Sequence, residues 1–165
     1  MTDTLKSICE QCINLNNPQL DFIPAELTRH RETILRDLKE LVSAASIELE
    51  KTVVILSGSI LEAVLYTFIQ GQEAYIKNLD GAFTFDPRAT LQRFMNIFNR
   101  YFRRVLPSVV LRDIVADYRD LIHVNRELNS HPGICARGSR EMLRILNALL
   151  GELSQFAGPL PEKQL

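Results

Sequence analysis

Three side chains near the middle of the chain have the types and spacing to act together on a phosphodiester. Arg119 and His123 are four residues apart, so on a helix they stand one turn above the other, and Asp120 lies three before His123. An imidazole titrating near neutrality can take the proton from a ribose 2′-hydroxyl or give one to a leaving oxygen. A guanidinium can hold the phosphate bidentately and stabilise its developing charge. With the 2′-hydroxyl as nucleophile, no metal or other cofactor is required. A second pair follows at Arg126 and His131, in a chain with three histidines in all. On spacing alone, the same residues also fit a charged helix surface or a capping network.

Other groups bear on that chemistry. Arg93, Arg100, Arg103, Arg104 and Arg112 fall within twenty residues. They form either a solvated helix face or a local contact for RNA phosphate, with Arg100, Arg103, Arg104 and Arg112 as the RNA-binding candidates. The formal net charge of −1 excludes a broad basic coat over the whole chain. Glu62 sits in the most apolar segment, where a buried carboxylate needs a partner. It is expected either to bond within the core or to orient Arg119 or His123. Cys9 and Cys12 form a single C-x2-C, half of a structural zinc set, and they also fall on an apolar stripe where free cysteine packs as a small hydrophobe. No metal site is expected. His30, between Arg29 and Arg31, reads as part of a solvated cluster. No glycine-rich phosphate loop and no nucleophile elbow is present.

The elements that must position these residues are helices. Apolar residues recur at helical spacing almost throughout, and strand alternation is nearly absent. Leu5, Ile8, Cys12 and Leu15 mark a first helix over 3–15, ended by Asn16-Asn17-Pro18. Pro24 opens a second segment that runs to about Ser43. The segment from Ile47 to about Ile76 is apolar on most sides and belongs at the centre of a bundle. Ser57-Gly58-Ser59 there allows close approach or a bend, and Gly71 marks a break before Glu73–Lys77. Residues 78–87 read as a loop tucked on the core through Phe83 and Phe85. A helix follows over about Arg88–Arg104, and another from Pro107 carries Val110, Leu111, Ile114, Val115, Tyr118, Leu121 and Ile122. Residues 124–138 read as a polar loop, and a last helix spans about Ser139–Phe156.

The expected fold is therefore all-α, an up-and-down bundle of about five helices. Residues 1–20 form an N-terminal helix and connector, 21–157 the bundle and 158–165 a loose tail. The apolar stretches Thr52–Leu56 and Ile60–Ile69 are interrupted by polar and small residues and fall short of the ~20 a membrane helix needs, so no membrane span is expected. An odd cysteine count without a signal-like N-terminus points to the cytoplasm.

The stretch DYRDLIHVNRE (117–127), followed by a loop and an apolar C-terminal helix, resembles the Arg-polar…His signature of HEPN-like domains. The segment LSGSILEAVLY (56–66) is similar to a pattern of the same bacterial group, and the likeness covers about residues 25–155. The resemblance implies an all-α homodimer whose facing Arg/His helices form the site, in many members a metal-independent endoribonuclease of toxin–antitoxin or defence systems. It assigns Arg119 to the phosphate, Asp120 as the polar residue that follows, and His123 as general acid/base. Arg126, His131 and Glu62 are secondary. The departure is the spacing: Arg119 and His123 enclose three residues, fewer than the usual motif, whereas Arg126 and His131 enclose four. The implied partners are RNA, a second copy and an antitoxin protein. The alternative is a non-catalytic dimeric module that binds RNA or a partner protein, and a helical adaptor unrelated to RNA stands beside both.

Overall fold

The computed structural model describes residues 4–106, 133–156 and 160. Those residues form α-helices and one 3-10 turn, without a strand among them. The helices are α1 (Leu5–Gln11), α2 (Ile13–Asn16), α3 (Thr28–Ser46), α4 (Glu50–Gly71), α5 (Glu73–Leu79), α6 (Leu91–Tyr101) and α7 (Ile134–Leu153), with the 3-10 turn at Ala25–Leu27. The all-α expectation holds. The expected helix from Pro107 lies outside the described residues.

α4 is the centre. Val53, Val54, Ile60, Leu61, Val64, Leu65, Phe68 and Ile69 are all buried, and α3, α6 and α7 pack around them. The helix runs 22 residues without a break at Ser57-Gly58-Ser59. By length and composition alone it could cross a membrane, so the expectation that the apolar stretches are too short needs correcting: they join into one helix. In this fold, 61% of that apolar window is enclosed by the rest of the protein. Ser57 and Gly58 on α4 and Gly138 and Ser139 on α7 are buried. Such small residues let a pair of helices approach closely.

The flanking helices are one-sided, as a layer around a buried rod must be. α3 buries Ile34, Leu38, Leu41, Ala44 and Ala45, and α6 buries Leu91, Phe94, Met95 and Phe98. Phe68 joins the layers: its ring lies 4.9 Å from Phe102, 6.0 Å from Phe98, 6.2 Å from Phe22 and 6.5 Å from Phe156. Phe83 and Phe85 lie against the core as expected, Phe83 edge-on to Tyr101 and Phe85 against Tyr66 and Phe94.

Three boundaries differ from the sequence reading. The expected first helix is two, broken at Cys12, where the Asn16 side-chain amide donates to the carbonyls of Cys9 and Cys12. Pro24 precedes a 3-10 turn, and α3 proper starts at Thr28. α7 starts at Ile134, five residues before Ser139, because Gly133 takes the left-handed conformation (φ 84°) and Gly138 is accommodated inside the helix. The N-terminal pair packs on α3 and α7. Asn14 closes that contact, its backbone and side-chain amides donating to Asn147 at 2.9 and 3.1 Å.

Glu48 links α3 to α1. It adopts φ 59°, a left-handed conformation in which glycine is the usual residue. The amides of Glu48 and Leu49 donate back to Ala45 and Ala44, closing the end of α3. The carboxylate accepts from the amides of Leu5 and Lys6, both at 3.0 Å, in the open first turn of α1. Those two bonds, Lys6 first, hold its pKa below the usual carboxylate value.

Phe68→Ala is expected to lower unfolding stability by about 3–5 kcal/mol in denaturant titration, since the vacated space is walled by four other rings. For Glu48 the folded pKa is depressed, so its stabilisation is present above the unfolded pKa and lost as pH falls through the folded one. The protection of α1 amides, measured as exchange relative to the intrinsic rate at each pH, should therefore fall on acidification. Glu48→Gln should lower that protection in α1 at neutral pH and remove its dependence on acidification.

Candidate functional site

Arg112, Arg119, Asp120, His123, Arg126 and His131 lie outside the described residues. The other candidates fall on two faces of the bundle.

The first is the outer face of α6. Its apolar positions point at α4, which leaves Arg93, Asn96, Ile97 and Arg100 in a row on the opposite side, at spacings of three, four and seven. Arg93 and Arg100 are therefore separated by about 10 Å along the helix axis. Arg103 and Arg104 follow in the turn after α6 and are exposed. Neither has an ion-pair partner among the described residues. Arg100 thus lies in the last turn of α6, Arg103 and Arg104 follow it along the chain, and Arg93 stands two turns earlier on the helix.

Beside this row is a cleft of about 310 Å³, bounded by α6 on one side and residues 80–84 on the other. Its geometry depends on Asp80. The Tyr101 hydroxyl donates to Asp80 Oδ2 at 2.7 Å, and the Ala82 amide donates to Oδ1 at 3.2 Å. These bonds fix the turn after α5 against α6. Arg100 adds a longer contact to Oδ2 at 3.4 Å, and its guanidinium lies 5.1 Å from the centre of the Tyr101 ring. The Tyr101 bond, the Ala82 amide and the Arg100 charge all favour the carboxylate and hold Asp80 below its ordinary pKa. Burial, then the bond to Asp80, pushes the Tyr101 phenol up. Arg93 reaches Asp86 Oδ2 at 3.4 Å, while Asp86 Oδ1 accepts from the Arg88 amide at 2.9 Å.

The second face is the least enclosed stripe of α4. Glu62 is half-buried there, with Ser59 exposed and Tyr66 half-buried on either side. The expectation that Glu62 is enclosed in the core is corrected: it is half-buried, on the stripe of α4 that also carries Ser59 and Tyr66. His30 is corrected as well. It is half-buried, and its ring stacks on Tyr66 at 5.3 Å and 9° instead of standing in a solvated cluster.

The cysteines behave as small hydrophobes. Cys9 and Cys12 are free and buried. Burial pushes both thiols up, Cys12 to about 11, so neither is a ready nucleophile or metal ligand. Among the described residues no cluster of three or more His, Cys, Asp or Glu could hold a metal ion.

Sequence reasoning passed over Asp80, Tyr101 and Phe83 as site residues. The Asp80-Gly81 turn marked where the loop begins, but the contact between Asp80 and Tyr101 spans 21 positions, and no periodicity reports it. Compared with family models, curated proteins and solved structures, the chain matches none.

Tyr101→Phe removes the strongest bond to Asp80 and should raise that carboxyl's pKa toward the ordinary aspartate range. A carboxyl-carbon NMR titration reads it directly. An unchanged Asp80 midpoint would contradict the assignment of the Tyr101 hydroxyl as its main partner.

Proposed function

We propose that this chain is an RNA-binding helical domain of HEPN-like type, acting as a metal-independent endoribonuclease of toxin–antitoxin or defence systems, or as a degenerate relative of one. The observation that carries the proposal is the row of exposed arginines on α6 and the turn after it. That row leads along the chain into the segment bearing Arg119, Asp120 and His123. Cations spaced along one exposed helix face suit a phosphate backbone. The Arg-polar…His resemblance supplies the chemistry.

In this reading Arg119 holds the scissile phosphate and His123 takes the 2′-hydroxyl proton. The 2′-oxygen bonds to phosphorus, the bond to the 5′-oxygen breaks, and the leaving oxygen receives a proton from an acid such as the second copy's histidine. A cyclic phosphate remains. The domain works in the cytoplasm as a homodimer, restrained in a toxin–antitoxin setting by an antitoxin protein.

The short Arg119–His123 spacing favours a second reading, in which the site no longer cuts and the dimer binds RNA or a partner protein.

Purified protein should cut single-stranded RNA in EDTA and leave cyclic phosphate ends. His123→Ala should slow cutting by at least about 100-fold and leave RNA affinity in place. Binding without cutting would favour the second reading. Neither binding nor cutting would overturn both and leave a helical adaptor.

A further inference from the structure

We infer that the cleft between α6 and residues 80–84 is a single-nucleotide subsite, with Arg93 and Arg100 for the phosphate and the Phe83 and Tyr101 rings for the base. The inference rests on the RNA-binding reading and assigns that surface a specific pocket.

Size and lining point the same way. A cleft of about 310 Å³ lies at the small end of ligand pockets, the scale of one nucleotide unit. Phe83 and Tyr101 meet edge-on, with ring centres 6.0 Å apart, and both are half-buried. Both rings line the cleft, and the Arg100 guanidinium lies over the Tyr101 ring, 5.1 Å from its centre, so cation and ring already stand together there. Aromatic faces flanked by guanidinium groups are the recurring platform for single-stranded bases, and they tolerate any base because every base has a π-face.

The two arginines are free to change partners. Arg93 and Arg100 are 61% and 71% exposed, and each holds its aspartate by one contact of 3.4 Å. Strong guanidinium–carboxylate bonds are shorter, about 2.7–2.9 Å. Neither aspartate depends on its arginine. Asp80 keeps the Tyr101 hydroxyl and the Ala82 amide, and Asp86 keeps the Arg88 amide. A phosphate entering the cleft can draw both guanidinium groups onto itself while the two aspartates go on shaping the loop. Asn96, exposed between the two arginines on the same helix face, offers an amide to the base edge or the ribose.

The test uses the full chain, EDTA and a short fluorescein-labelled oligoadenylate, with binding followed by anisotropy across a salt series. Arg93→Ala/Arg100→Ala should weaken binding at least about tenfold. It should also flatten the slope of log affinity against log salt by about 0.7, the contribution of the one phosphate held in the subsite on a single strand. Phe83→Leu should weaken binding at least about fivefold with the slope unchanged, since stacking carries no counterion release. On the unaltered protein, adenosine monophosphate should shift the ring resonances of Phe83 and Tyr101, which removes any dependence on how the variants fold. Wild-type affinity and slope in the double variant, with loss on Arg103→Ala/Arg104→Ala, would overturn the subsite and leave the RNA reading standing. No binding by the unaltered protein would overturn both.

Discussion

α4 is apolar around most of its circumference, and a rod of that kind has to be enclosed before anything else in the chain can be placed. A surface helix needs one neighbour; this one is covered by α3, α6 and α7. Each of those neighbours is apolar on one side only, so meeting α4 fixes the rotation of each about its own axis. For α6, burying Leu91, Phe94, Met95 and Phe98 turns Arg93 and Arg100 outward. The arrangement of the cationic row is thus a consequence of core packing, and the hydrophobic effect is what aims it.

Polar contacts then secure what burial orients. Three of them tie distant segments: Glu48 to the start of α1, Asn14 to Asn147 on α7, and Asp80 to Tyr101 on α6. None is buried deeply enough to be a major source of stability. Their role is geometric, since each fixes a segment that helical packing alone leaves free to shift. Asp80 matters most for the surface, because it sets the distance between the 80–84 loop and the arginine row. A cleft whose walls are set by one carboxylate is already shaped before any ligand arrives, so binding there costs little ordering.

The helices themselves were legible in the sequence because apolar spacing reports directly on which face is buried. The central place of α4, the loop status of Phe83 and Phe85 and the break near Gly71 all follow from that signal. The early start of α7 did not. Pro132, Gly133 and Gly138 read as loop residues, yet Gly133 precedes the helix and Gly138 packs within it. Glycine marks turns and close packing alike, and spacing alone does not separate the two. The mean character of its segment makes Glu62 look enclosed, whereas its environment depends on one stripe of one helix. The charged neighbours of His30 in sequence suggest a solvated ring, whereas its ring neighbour is Tyr66, 36 positions on. The cleft was the least legible, because it is made by residues that meet only in three dimensions.

In the proposed reading RNA lies along the outer face of α6. Photo-crosslinking of the full chain to a single-stranded RNA, with the attached peptides mapped by mass spectrometry, tests it most directly. Crosslinks should concentrate in residues 80–104, at Phe83 and Tyr101 above all. Crosslinks confined to α1–α3, or their absence under conditions where the RNA is bound, would contradict it.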